Sequence, residues 1–599
     1  LALIPLTVSL SLSAKVADPL YPQQWHLKNK GQAAFSESGG IKGRDLKVHA
    51  PHKKGVRGQG IQVTVIDTGV QINHVDLAGN VVAGSKNLVD GSDFPTDTNG
   101  HGTAVAGIIA AVGYNDEGVR GIAPSASING FNFLEEQSLT SFLTSHGLSE
   151  GTKGTHVFNQ SYGGSDIFPR AYDPENDLEL GITEDAMMKV TQTNGNGRGA
   201  AFVKSAGNGF SFFGLGQYFI LPGNYFSAAE AGEVRNHGLP MENSNGEISD
   251  ANFWNTVVSA TNADGVHSSY SSVGANVFMT ATGGEYGSDS PAMVTIDLMG
   301  CDAGFNKADG LGENGLHGGT EIDPECNYTS VMNGTSSAAP SMSGAIAMVM
   351  SANKKITARD AKHILAMTAK KVDKKHPGVV LPFTDSAGDS AEYQAIDGWK
   401  RNAAGYPYHM FYGLGQPNVK KAVALAQKKG WKKYRKLPKL QTTSWFNKNT
   451  HLSIPDANTM GVTSYHSVKA KRNFAIEGVQ VKLDIDHSRL SDLSIELISP
   501  SGTRSVLMTP RSGAFLGQSV SSDPITGLRD QLFLSHNFYG EQARGNWRLR
   551  VVDVGGEGDG NWVLYDRADG SASLIEPENN TEEGVVTNWS IRFFGHKGK

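Results

Sequence analysis

Three short stretches carry residue types that could perform nucleophilic chemistry together. The first is Asn333-Gly334-Thr335-Ser336-Ser337-Ala338-Ala339-Pro340, which runs on through residues 341–350, small and apolar with no charge. That run reads as a buried helix, and the glycine ahead of it puts the Ser336 hydroxyl at the helix entrance. A serine there lies in the positive end of the helix dipole and can be presented to a carbonyl carbon. Its backbone N–H points at any oxyanion that forms. Ordinary helix capping by Gly-Thr-Ser is the competing reading, and two other stretches decide between them. Residues 61–70 are rich in Val and Ile and include Asp67-Thr68-Gly69, as a buried parallel strand would with an acid at its C-terminal end. Asn99-Gly100-His101-Gly102-Thr103 opens a second apolar helix with a histidine. An aspartate, a histidine and a serine, each at the edge of a separate apolar element, form an acyl-transfer constellation.

The chain order Asp, His, Ser is the subtilisin order. The three stretches resemble the signature blocks of subtilisin-like serine proteases, and Gly334-Thr335-Ser336-Ser337-Ala338-Ala339-Pro340 resembles the nucleophile block. The resemblance implies that Asp67 orients His101, that His101 acts as general base and then acid, and that Ser336 is the nucleophile. A fourth match is Phe202-Val203-Lys204-Ser205-Ala206-Gly207-Asn208-Gly209. It implies that Asn208 donates its side-chain amide to the oxyanion beside the Ser336 N–H.

The elements that must position these residues need a large domain, and 599 residues leave room for more than one. The net charge of -6 and a pI near 6.3 give no reason to expect a nucleic-acid partner. No apolar run is long enough to span a bilayer. The only cysteines are Cys301 and Cys326. A nearby pair in a Cys-poor chain of secreted type favours a local disulfide, with two buried thiols as the alternative. In residues 1–14, Ala2, Ile4, Leu6, Val8, Leu10 and Leu12 fill the even positions. That is the period of a strand with one buried face, expected to pair with an open sheet edge as part of an N-terminal extension, 1–17.

From Asp18, the text Asp-Pro-Leu-Tyr-Pro-Gln-Gln-Trp resembles the opening of the catalytic domain in the kexin and furin branch, giving an expected catalytic domain of 18–430. Relatives commonly fold on a propeptide, and residues 1–14 are too short for that work. The expectation is an external chaperone, with a propeptide removed ahead of Leu1 as the competing account. The loop Val112-Gly113-Tyr114-Asn115-Asp116-Glu117-Gly118-Val119-Arg120-Gly121 suits a hard cation. The resemblance implies calcium held by Asp18, Asp76, Val112, Asn115, Val119 and Gly121, although an extra two residues leave Asn115 and Asp116 as alternatives. Ser161-Tyr162-Gly163 resembles the segment that pairs with substrate backbone, and Asp166 falls where convertases place the acid of the primary specificity pocket.

Residues 178–193 read as an amphipathic helix, 210–250 as an insertion on the active-site side, and 418–429 as the last helix of the unit. Residues 431–440 form a basic, Pro-containing linker. From 441 to 599, short alternating segments separated by turns resemble the P-domain of convertases, a jelly-roll β-sandwich. The expected fold is thus α/β, a subtilisin-like parallel sheet of the seven-stranded type flanked by helices, followed by an all-β P-domain.

The function these features imply is a secreted, extracellular, calcium-dependent serine endopeptidase cleaving protein or peptide substrates after Arg or Lys. Three departures from the convertase pattern bear on specificity. Thr68 stands where convertases carry a second Asp, residues 210–221 hold no acid, and Tyr270-Ser271-Ser272 replaces a calcium-binding Glu. A broad trypsin-like digestive or toxin protease, and an idle binding protein on the same fold, are the rival readings.

Overall fold

The computed structural model describes residues 18–164, 170–222, 235–307, 314–428, 431, 436–512, 527–555, 562–575 and 583–598. The N-terminal alternating segment and Asp166 lie outside them.

Continuous apolar runs make the central sheet. Its strands are β1 (Gln62–Ile66), β2 (Ser127–Phe131), β3 (Val157–Gln160) and β4 (Ala201–Ser205). After the hairpin β5 (Phe213–Leu215) and β6 (Tyr218–Pro222) come β7 (Asn255–Thr261) and β8 (Val277–Thr282). The described sheet has six strands in the order β2-β1-β3-β4-β7-β8, every neighbouring pair parallel. The order reverses at β1, so loops leaving β1 and β3 splay apart and open a crevice at their C-terminal ends. The helices His101–Ala110 and Thr335–Ser351 pack against the sheet almost wholly buried. Only residues as small as theirs allow that approach: a Cβ on Gly107 would lie 2.5 Å from Thr295 Oγ1, and one on Gly344 2.7 Å from Ile122.

The C-terminal region is a sandwich with its own apolar core. One sheet holds strands Gly527–Ser535, Phe474–Asp486 and Gly584–Lys597, with Gln441–Thr442 and Phe446–Ile454 both along Gly584–Lys597. The other runs Asn458–Val468, Gly545–Asp553, Leu493–Ile498 and Arg504–Met508. All pairings in both are antiparallel.

The two regions are bound together by more than the linker. Phe253 stacks on Phe594 with centroids 4.0 Å apart, and Asn245 donates to the Leu507 and Leu534 carbonyls. Strand β6 pairs with Trp562–Asp566, so one four-stranded sheet is shared between the insertion and the sandwich. Cys301 and Cys326 form a disulfide.

Candidate active site

Asp67 is the first residue beyond β1 and is fully buried. Its Oδ1 lies 2.6 Å from His101 Nδ1 and accepts the Thr68 N–H at 2.8 Å. The fit depends on Gly102, where a Cβ would sit 2.0 Å from the Gly69 carbonyl oxygen. Burial pushes the His101 imidazolium down, but the Asp67 charge and hydrogen bond, helped by Asp97, outweigh it and hold its pKa above the usual 6.5. Asp97 was not singled out by sequence. One of its oxygens accepts from Thr68 Oγ1, Asn99 N and Gly100 N, and the other from Thr103 N and Oγ1. Thr68 Oγ1 in turn accepts the Gly102 N–H at 3.0 Å. The position where convertases carry an acid thus holds a hydroxyl relay that locks the helix entrance to the β1 end.

Ser336 stands at the second position of its helix, after Gly334 in a backbone conformation of φ +87° that favours glycine. In this resting geometry its hydroxyl donates to the Ser161 carbonyl at 3.1 Å, and Ser161 Oγ donates to the Ser336 carbonyl at 2.9 Å. Asn208 Oδ1 accepts from Thr335 N at 2.8 Å and Thr335 Oγ1 at 3.0 Å. Because Thr335 N can only donate, the Asn208 oxygen must face it, which leaves the Nδ2 hydrogens for another acceptor.

The Subtilase family pattern matches residues 58–393, and the proprotein convertase P-domain pattern matches 476–565. The chain is 44% identical to the extracellular serine protease of Aeromonas sobria over 596 residues, covering 97% of this chain and 91% of the relative. The chain belongs to the subtilase family. It is a serine protease with a P-domain. A crystal structure of the Aeromonas sobria serine protease with the chaperone matches at TM-score 0.90 and 43% identity, covering 97% of this chain and 95% of that one. Neuroendocrine convertase 2 of Sus scrofa is 24% identical over 549 residues, covering 90% of this chain and 71% of the relative.

Beside Ser336 lies a cleft of about 990 Å³ that reaches from Phe142 and Tyr162 to Asn208 and Ser336. Ser161, Tyr162 and Gly163 continue β3 along it. Lys204 Nζ takes the Tyr162 carbonyl at 2.6 Å, so strand alternation leaves the flanking Ser161 and Gly163 backbone groups for the cleft. Lys204 is 1% exposed, a lone lysine inside an apolar strand. It ion-pairs with Asp250 at 3.4 Å and Glu247 at 3.5 Å. Burial opposes its charge, yet these two acids outweigh burial and raise its pKa. Glu242 joins them by a backbone pairing with Gly209, and accepts from Ser272 Oγ at 2.8 Å. Burial pushes the Glu242 carboxyl up to about 7. Glu242 and Glu247 both line the cleft. The thin acidic lining read from residues 210–221 is therefore supplemented from later in the insertion. The isolated Lys204 was the available sequence signal, since a buried lysine needs carboxylates.

On the far side of the His101 helix, Asp18 and Asp76 converge on the 112–121 loop. Asp76 Oδ1 accepts the Asn115 side-chain amide at 2.8 Å, and Oδ2 accepts the Val119 N–H at 2.9 Å. Asn115 rather than Asp116 thus faces Asp76. Asp18 Oδ1 accepts the Tyr114 N–H at 2.6 Å, and its other oxygen pairs with Arg120, whose guanidinium stacks between Tyr21 and Tyr114. Val112 and Gly121 brace the loop through their backbone, Val112 N donating to the Asp76 carbonyl and Gly121 N to the Ala111 carbonyl. Burial pushes Asp76 up to about 7, the mark of a carboxylate short of positive charge. Carboxylate and amide oxygens are the donor class of a hard cation, so the residues fit calcium on the Asp76 side, while Arg120 already serves Asp18.

Proposed function

We propose that this subtilase is a secreted endopeptidase that cleaves after Arg or Lys through an acyl-enzyme, with Asp67, His101 and Ser336 as the triad. The observation that carries the mechanism is the 2.6 Å bond between His101 Nδ1 and Asp67, which fixes the tautomer that leaves Nε2 basic. The Ser336 hydroxyl turns from the Ser161 carbonyl to His101 Nε2, loses its proton there and attacks the scissile carbonyl. The vacated Ser161 carbonyl is then free to accept a substrate N–H, as in strand addition. The Ser336 N–H and Asn208 Nδ2 receive the oxyanion, and His101 returns the proton to the leaving amine.

Preference for basic side chains is supported by the cleft acids. Glu242 and Glu247 line the cleft, and Glu247 shares the Lys204 ammonium with the buried Asp250. Asp166 belongs to the same proposal from the sequence resemblance. Asp18, Asp76 and Asn115 would hold calcium, which supplies the charge that ties the start of the domain to the loop. No step of peptide cleavage passes through it. Extracellular location is supported by the relative named an extracellular protease, and among the described residues no helix is long and apolar enough to cross a membrane. Folding help from a separate chaperone is supported by the similar protease whose structure holds one.

Peptide substrates differing only in the residue before the scissile bond test the reading. Turnover of Arg and Lys peptides well above neutral ones, blocked by a serine-directed inhibitor, is expected. Equal turnover of both classes would remove the basic preference while leaving the peptidase. A melting temperature unchanged by excess chelator would remove the calcium site. Abundant active enzyme from expression without a helper protein would remove the chaperone.

A further inference from the structure

A cavity of about 430 Å³ lies between the catalytic region and the sandwich, away from the triad, and it is roofed by linker residues 436–440. One wall is the start of the Ala358–Thr368 helix and the end of the Leu178–Gly197 helix, and the opposite wall is Glu477, His536 and Tyr539 of the sandwich. Its charge is one-sided, with Arg198, Arg359, Lys362, Lys436 and Lys439 against Glu477 alone.

Two of these cations are already committed. Arg359 forks onto both Glu477 oxygens and the Pro438 carbonyl, and Arg198 donates to the Met350 and Ile356 carbonyls. Lys362 is different. It has no hydrogen bond or ion pair among the described residues, and its ammonium lies 5.1 Å from the centre of the Phe278 ring. Burial lowers its pKa to about 8, and the charge of Glu477, already forked by Arg359, offsets only part of that. Beside it, His536 is 2% exposed. Its Nδ1 is 3.0 Å from the Glu477 backbone carbonyl, which can only accept, so Nδ1 carries the proton. The buried Nε2 is then a lone-pair acceptor, and it has no partner. Such an atom costs free energy unless something donates to it. Phe253, Trp254 and Phe278 add ring surface to the lining.

We propose that this cavity binds a small organic anion. Its carboxylate or phosphate group takes the Lys362 ammonium, its hydroxyl or N–H donates to His536 Nε2, and its apolar body lies against Phe253, Trp254 and Phe278. The volume and the mix of apolar walls with a few convergent polar groups are those of small-ligand sites, which favour domain interfaces. Because both regions contribute walls, the ligand holds the sandwich to the catalytic region and stabilises the native chain by mass action. This inference stands independently of the proposed substrate preference.

The test uses the whole chain and 4-hydroxybenzoate, which carries a carboxylate, a ring and a hydroxyl donor. Calorimetric titration should show saturable 1:1 binding, and the melting temperature should rise with probe concentration. The neutral analogue 4-hydroxybenzamide should bind at least tenfold more weakly. Lys362→Met, which keeps the apolar stem, should weaken the acid by at least tenfold and leave the amide unaffected. Crystals soaked with the acid should show it against Lys362 and His536. No saturable binding of 4-hydroxybenzoate, equal affinity for acid and amide, unchanged affinity in Lys362→Met, or density at another site would each overturn the proposal. If Lys362→Met fails to fold, the acid-against-amide comparison on the unaltered protein still decides.

Discussion

Asp67 and the acid cluster around Lys204 are built in opposite ways. Among the described residues, Asp67 pairs with no cationic side chain other than the imidazole beside it. Its partners are His101 and the neighbouring Thr68 N–H. The floor cluster of Glu242, Glu247 and Asp250 is threaded by a permanent cation, Lys204, that also grips the Tyr162 carbonyl. Under the proposed function, the difference follows from what each would do. An acid that supports a proton carrier must reserve its charge for the moment the imidazolium forms. Acids that attract a substrate side chain must survive burial in its absence, and a resident lysine offsets part of that cost.

Substitutions can break this contrast from either side. Asp67→Asn should keep the fold and lower kcat by about 10⁴-fold, because the amide no longer holds the basic tautomer. A kinetic comparison with unchanged melting temperature checks it, and a loss under tenfold would mean that Asp67 only supports structure. Lys204→Met should act on stability first, leaving buried carboxylates unpaired at a cost of about 3–5 kcal/mol. Denaturant unfolding reads this directly, and an unaltered midpoint would show the cluster to be neutral without its lysine.

Smaller effects sharpen the comparison. Glu247→Gln should reduce turnover of Arg and Lys peptides relative to neutral ones by about tenfold to a hundredfold, the worth of a charge-assisted hydrogen bond of about 1.5–3 kcal/mol. Equal effects on both peptide classes would assign Glu247 to the structural role alone. The smallest effects are in pH. Since the His101 pKa is raised, the acid limb of kcat/KM should lie above pH 6.5, with activity falling as His101 becomes protonated. Glu242 has the opposite leverage on stability. Its native carboxyl keeps a proton up to about pH 7, whereas the unfolded group releases it near 4.5. Its contribution is therefore fully present below 4.5 and lost as pH rises to about 7. Glu242→Gln should flatten that decline in melting temperature, and an equally steep decline in the variant would place its origin elsewhere.

The amino-acid sequence determined the parts of this protein whose physics is local. A buried parallel strand ending in an acid, and helices of small residues entered through glycine, are set by runs of ten or so residues. Asp67, His101 and Ser336 were legible for that reason, each being fixed within its own segment, whereas Asn208 was named through the family resemblance of its block. Alternation with turn signals likewise gave the C-terminal sandwich, because period 2 is a property of one strand. Tertiary structure alone decided the rest. Asp97 reaches Thr68 across 29 positions, Glu242 folds back to Gly209 from within the insertion, and Arg120 crosses to Asp18 over 102 positions. Charges such as these have no spacing rule, because a carboxylate finds its cation wherever the packed chain brings one. The shared sheet between β6 and Trp562–Asp566 and the cavity around Lys362 belong to the same class. Each is made of surfaces that face nothing until two separately folded regions meet.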